Sequence, residues 1–391
     1  MKSNAIHRVA GILALGQLGI MIAFGQATTV TKPLMAEEVF KNVQILKGIP
    51  VNEFMETMGF FAAALSYNCT DCHVQESLDN WAKYADDVPA KRTARAMILM
   101  VNAFNKSTFG GRRVLTCYSC HRGASTPKVI PSLAEQYGVP LDDPNEVEIL
   151  NQHPAGPTPQ QILDKYIRAV GGTERLAGLT SYAGKGMYEG YDSDNLKVPV
   201  EIFAKVPGRR ALIVHGKLGD STTTFDGDSG WIAGPDKPVP VLTLPRGDDL
   251  DGLKLDADLS IPVDIERSLS QLRVGFPPVN IDNHDIAVIQ GMTVAGARVK
   301  LFFDKESGLL VRQVRYANTP VGTVPTQIDY SDYRAVAGVK VPFKWTVTWT
   351  NGRAAIELSD VQPNTPISEA TFSKPPPPAA PETGATIRPA H

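Results

Sequence analysis

Cys69-Thr70-Asp71-Cys72-His73 and Cys117-Tyr118-Ser119-Cys120-His121 are the two stretches on which the reading of this chain turns. Each sets two thiols three positions apart and places a histidine directly after the second. Thiols so spaced can add across the two vinyl groups on one edge of a haem, and the adjacent imidazole then reaches the iron from one face of the ring. Two rivals use the same cysteines. Paired Cys-x-x-Cys units can hold a structural zinc, but zinc asks for no histidine after each second cysteine. A thiol–disulfide redox pair needs a strand-to-helix setting, which the flanking sequence lacks. The chain has four cysteines, all inside the two units, so none remains for the disulfides an exported protein ordinarily forms. Two covalently bound haem c groups are expected, one at Cys69, Cys72 and His73 and one at Cys117, Cys120 and His121.

Export is read from the start of the chain. Lys2, His7 and Arg8 precede an apolar run from Val9 to Phe24, and Gly25-Gln26-Ala27 offers small residues to a signal peptidase. Residues 1–27 are therefore expected to be a signal peptide cleaved after Ala27, which implies a periplasmic protein. The run is short for a membrane span and is broken by Gly11, Gly16 and Gly19, so membrane association is expected only through an uncleaved leader. A formal net charge of −2 gives no argument for a nucleic-acid partner.

Between the leader and the second unit the pattern is helical. Val51, Phe54, Met55, Met58, Ala62 and Leu65 form one apolar stripe, and Ala94, Met97, Ile98, Val101 and Phe104 another. Each striped helix is followed by a link and then by a cysteine unit, so residues 33–123 read as a mainly α dihaem domain built on a loose repeat. Haem iron in electron carriers is closed by a methionine or a second histidine. His153, His215, His284 and His391 fall outside this region, whereas Met55, Met58, Met97 and Met100 lie on or beside the stripes. Spacing alone does not choose within either methionine pair, and a methionine on an apolar helical face is as readily a core residue.

Six prolines punctuate residues 124–157, which read as a semi-extended linker with one helical turn around residues 132–137. Residues 158–373 change character. Thr158 and Gln161 form a capping box with Pro159 in the first turn, and Gly171-Gly172 stop the helix. Strands follow at 198–205, 210–215, 221–225, 297–304, 309–316, 327–334 and 344–350, separated by turns such as Asp226-Gly227, Ser307-Gly308 and Asn351-Gly352. The chain is thus expected to be multidomain, a helical dihaem domain followed by an antiparallel, β-rich open barrel. The proline-rich residues 374–391 read as a disordered tail.

A family resemblance adds to these readings. Lys41-Asn42-Val43-Gln44, Glu53-Phe54 through Met58, Cys69 to His73, Ala94-Arg95-Ala96-Met97 and Thr116 to Gly123 together resemble the cytochrome c subunit of photosynthetic reaction centres over residues 39–123. The resemblance implies that Met58 and Met97 are the distal ligands, so that His73 with Met58 and His121 with Met97 would close the two irons. The family carries four haem motifs and this chain two. The histidine with which the family closes a further haem has no counterpart in residues 106–116. The domain implies electron transfer rather than photosynthesis. More weakly, Pro207-Gly208-Arg209-Arg210, Phe225-Asp226-Gly227 with Trp231, and Phe303-Asp304 with Ser307 to Leu310 resemble periplasmic lipoprotein-carrier domains. Asp304, Asp329 and Asp332 are expected to be turn and edge residues. The expected function is single-electron transfer between redox-protein donor and acceptor, without enzymatic activity. The alternative is a carrier of an apolar ligand, lipid or quinone, or a scaffold, with a haem redox module.

Overall fold

The computed structural model describes residues 32–139, 143–149, 156–235 and 237–377. The expected signal peptide and most of the expected tail lie outside them. After a single turn, α1 (Ala36–Val39), the first apolar stripe forms α2 (Val51–Leu65), which ends where Ser66 takes a left-handed φ of 53°. The first cysteine unit is the one-turn helix α3 (Cys69–Cys72). The second stripe forms α4 (Pro89–Phe109), begun by Pro89 in its first turn and closed by left-handed Gly110. The second unit is α5 (Cys117–His121). The expected turn in the linker is α6 (Leu133–Tyr137), capped by the Ser132 hydroxyl. The capping box at Thr158 starts α7 (Pro159–Val170), and α8 (Thr173–Gly178) follows the two glycines.

The remainder is an antiparallel sheet. Its strands are β1 (Ser181–Gly190), β2 (Val198–Lys205), β3 (Arg209–Gly216), β4 (Gly219–Phe225), β5 (Gly230–Ala233), β6 (Val241–Thr243), β7 (Ser270–Val274), β8 (Val279–Ile281), β9 (His284–Met292), β10 (Arg298–Asp304), β11 (Leu310–Thr319), β12 (Gly322–Val336), β13 (Val339–Trp349) and β14 (Gly352–Pro363). They pair in the order β6-β5-β4-β3-β2-β1-β14-β13-β12-β11-β10-β9-β7, with β8 beside β9, and the ends do not meet. The fold is the expected one, a helical region followed by a large open sheet. All seven expected strands are present, and the sheet contains seven more. Two further helices, α9 (Asp248–Ser260) and α10 (Ile265–Ser268), lie between β6 and β7.

One face of the sheet buries its apolar side chains against α7, α8 and α9. Leu163, Tyr166, Leu176, Leu255 and Leu259 share a core with Ile202, Leu301, Phe303 and Ile356. The strap between the helical region and α7 covers the opposite face. There Val147 packs with Ile286, Val288, Phe302 and Val314, and Lys300 Nζ donates to the Asn145 carbonyl at 2.5 Å. Asp304 accepts from the Ser307 amide, Asp329 pairs with Arg312 and Asp332 with Arg334. Asp304 holds a turn, as expected, whereas Asp329 and Asp332 lie within β12, between β11 and β13, and not at a turn or a sheet edge.

The helical region is seated on the sheet. Phe60, Ala64 and Ile98 cluster with Val321 and Val324 at the β11–β12 hairpin. Thr319 fixes that hairpin's two-residue loop, its hydroxyl donating to the Gly322 carbonyl at 2.8 Å and accepting from the Gly322 amide at 3.1 Å. A Cβ on Gly322 would stand 2.2 Å from the Phe60 ring, and one on Gly59 would stand 2.7 Å from Thr350 Oγ1. Gly322→Val is accordingly expected to cost about 1–3 kcal/mol of unfolding free energy in urea. Combining it with Phe60→Leu should recover part of the loss, because the ring is the colliding group.

Candidate haem site

Both cysteine units form because their flanks cap a single helical turn. Asn68 Oδ1 accepts from the amides of Thr70 and Asp71, and the Asp71 carboxylate accepts in return from the Asn68 amide at 2.8 Å. At the second unit Thr116 Oγ1 accepts from the Ser119 amide and Ser119 Oγ from the Thr116 amide. A turn this short is not stable by propensity, and these reciprocal caps hold it. The second turn is also stitched to the end of α2. Gly123 N donates to the Ala64 carbonyl at 3.0 Å, and Ser66 Oγ donates to the Gly123 carbonyl at 2.6 Å.

Helix α4 lies against both units: α3 and α5 each pack on it, and α5 packs on α2 as well. One residue that the sequence pattern does not single out locks the approach to the second unit. Asn105, 5% exposed, donates from Nδ2 to the Leu115 carbonyl at 2.8 Å and accepts on Oδ1 from the amides of Val114 and Leu115. It sits where an apolar residue would fit the stripe, so only the structure reveals its role. Replacing it by leucine leaves three backbone groups without partners. The expected cost is about 2–4 kcal/mol in a denaturant titration.

The two histidines differ in setting. His121 Nδ1 lies 2.9 Å from the Ala124 carbonyl. A carbonyl only accepts, so Nδ1 carries the hydrogen and Nε2 is the nitrogen left to face a metal. His73 is edge-on to Tyr84, with ring centroids 4.7 Å apart, and its Nδ1 is buried without a partner. Burial, with Lys91 nearby, pushes its pKa down to about 4, so the ring is neutral, the form that ligates metal. The thiols are free. Cys69 and Cys120 are exposed, and Cys72 and Cys117 half-buried. Among the described residues no three His, Cys, Asp or Glu side chains converge on a metal-sized site, so the two cysteine pairs do not meet in a zinc cage.

The four thiols, the two histidines and the apolar surface beside them fit covalently attached haem. Of the second stripe, Ile98 is buried on α4, while Met97, Met100 and Phe104 are 42%, 46% and 53% exposed. The helix therefore presents more apolar surface than the protein's own core takes up. Met58 is half-buried, in the cluster that also holds Phe60 and Cys117. The structure thus places Met58 on α2 and Met97 on α4, the helices the sequence assigns them to. Each stands on a helix that packs on a cysteine unit, Met58's on the second and Met97's on both.

Comparison with known proteins agrees with this chemistry. The family model described as photosynthetic reaction centre cytochrome C subunit matches residues 22–148. The photosynthetic reaction center cytochrome c subunit of Thermochromatium tepidum is 39% identical over 97 residues, 24% of this chain and 23% of that protein. That of Rubrivivax gelatinosus is 32% identical over 99 residues, 24% of this chain and 25% of the relative. The chain therefore matches about a quarter of the length of these relatives. Among solved structures, a LolA superfamily protein from Nitrosomonas europaea aligns with 56% of this chain and 99% of its own, at 13% identity and a TM-score of 0.39. A DUF1329 family protein from Desulfovibrio piger aligns with 55% of this chain and 96% of its own, at the same identity and TM-score. Among the described residues no helix is long and apolar enough to cross a membrane.

Proposed function

We propose that this chain is a periplasmic c-type cytochrome that carries single electrons between protein partners through two haem c groups. The observation that supports it is the pair of capped one-turn helices, each presenting two thiols and an adjacent histidine beside an apolar helix face. Cys69, Cys72 and His73 would hold one group, with Met58 as the distal ligand. Cys117, Cys120 and His121 would hold the other, with Met97. Haem c supplies a one-electron iron couple when bound, and a thioether opposite the imidazole sets it at higher potential than a second imidazole would. The Ala124 carbonyl orients His121, and Tyr84 packs against His73. With His73 and Met58 on one iron and His121 and Met97 on the other, neither would keep an open position for substrate, which supports a carrier over an enzyme.

The pyridine haemochrome spectrum tests this reading, and a value other than two haems per chain rejects it. Met58→Ala and Met97→Ala are each expected to remove part of the weak band near the red edge of the oxidised spectrum. An unchanged spectrum in either variant rejects that ligand. The alternative, carriage of a lipid or quinone by the sheet, would need the face that α7 and α9 fill with Leu163, Tyr166, Leu255 and Leu259. Solvent extraction of the purified protein tests it, and co-purified lipid or quinone would favour that alternative over a scaffold.

A further inference from the structure

The helical region divides its charge along the chain. Residues 33–88 carry nine Asp or Glu against three Lys, whereas residues 89–128 carry eight Lys or Arg and no Asp or Glu. Along the sequence the acids fall with the first cysteine unit and the bases with the second, though in space Lys91 stands beside His73 and Cys72 and Glu53 near Arg113. Half of the bases are already engaged. Arg92 and Arg95 pair with Asp87 at 3.1 and 2.6 Å, Lys91 Nζ donates to the Tyr84 and Asp86 carbonyls, and Lys128 pairs with Glu135. The other four, Lys106, Arg112, Arg113 and Arg122, are exposed, and among the described residues no ion pair joins any of them.

Those four bracket the second unit. Lys106 is in the last turn of α4, Arg112 and Arg113 lead into the Thr116 cap, and Arg122 is the left-handed residue that ends α5. Asn105 fixes the intervening turn through its bonds to Val114 and Leu115, so the cations stand on a held frame. Within the bracket Val114 and Tyr118 are 48% and 52% exposed. A small apolar centre with a rim of cations outside any close ion pair suits brief, oriented encounters: the rim steers the approach, and the limited apolar contact releases quickly.

We propose that Lys106, Arg112, Arg113, Val114, Tyr118 and Arg122 form the docking surface for an acidic redox protein, which exchanges electrons at the second cysteine unit. The proposal rests on the two-haem reading and adds to it the sign of the partner's charge and the end at which it binds. An anionic lipid surface is the competing occupant of such a rim, and the test separates the two.

The test is equilibrium binding of cadmium-substituted plastocyanin, an acidic and redox-inert probe, to the full chain. Its Kd is expected to weaken about tenfold or more between roughly 10 and 150 mM salt. At low salt the triple variant Lys106→Glu, Arg112→Glu, Arg122→Glu should weaken it by about tenfold, and Lys41→Glu with Lys47→Glu should leave it unchanged. The proposal is overturned if the Kd ignores salt, if the triple variant binds like the parent, or if a basic cytochrome c binds as tightly. It is also overturned if the triple variant loses only its co-sedimentation with phosphatidylglycerol vesicles. Should the triple variant misfold by circular dichroism, Lys106→Glu and Arg112→Glu singly are each expected to weaken binding about two- to threefold. A haem count other than two would reject the underlying reading, while plastocyanin binding would still report on the surface.

Discussion

Replacing Cys117 and Cys120 by serine is expected to halve the haem bound by this protein, from two per chain to one. Serine keeps the cap between Thr116 and Ser119 and the bond between His121 and Ala124, so the turn and its histidine stay in place. Only the thiols, which form the covalent attachment, are removed. The first unit stands on its own capped turn with its own histidine. The count comes from the pyridine haemochrome, and mass spectrometry of the denatured chain locates the remaining adduct on Cys69 and Cys72. The reciprocal pair, Cys69→Ser with Cys72→Ser, should leave the adduct on Cys117 and Cys120. Two haems retained in either variant would exclude thioether attachment at that unit.

Glu56→Gln is expected to stabilise the protein above neutral pH. Glu56 stands between α2 and α9, in a cleft also lined by Asp248, Asp249 and Arg315. Burial, then the charge of Asp249 and a hydrogen bond to it, push its carboxyl up to about 10, with Arg315 opposing. A carboxyl whose folded pKa lies above its unfolded value binds its proton more firmly in the native state. The stability it lends is fully present below about pH 4.5 and is lost progressively as pH rises towards 10. The slope from one such group is at most about 1.4 kcal/mol per pH unit. Glutamine keeps the shape and the hydrogen-bonding capacity but has nothing to ionise. At pH 8 the variant should therefore exceed the parent by about 2–4 kcal/mol in urea titrations, and at pH 4 the two should agree. Equal stabilities at pH 8 would mean that Glu56 is solvated and ordinary.

The cysteine units were legible because covalent chemistry demands a fixed spacing, and the helices before them because one face of each repeats at helical period. The same logic failed where a segment is buried on more than one side. In α9, Leu253, Leu255, Ala257 and Leu259 alternate like residues of a strand. Leu253 and Ala257 pack with Phe225 and Leu244, while Leu255 and Leu259 enter the main core. A helix clamped between two clusters needs no single stripe, and none is visible. Strand β1 was missed for a different reason. Gly184, Gly186 and Gly190 make it read as a loop, yet a Cβ on Gly186 would lie 2.1 Å from the Glu357 carbonyl oxygen. The glycine is there because β14 passes too close for anything larger, at a bulge in the pairing. The candidate site divides in the same way. Cys and His stand out by type and spacing, Met58 and Met97 are singled out from their pairs only by the family resemblance, and Asn105 draws its role from Val114 and Leu115 across a turn.

The absent side chain at Gly322 has a consequence for how the molecule would work. It lets Phe60 pack on the hairpin, so the helical region is bolted to the sheet. If that region carries haem as proposed, a bolted module would hold its groups at one fixed distance and orientation from whatever grips the sheet. Such a protein would work as a bracket, delivering charge to the same spot on every turnover. A single added methyl group at position 322 would loosen the bolt into a pivot, and delivery would then wait on the module's own search.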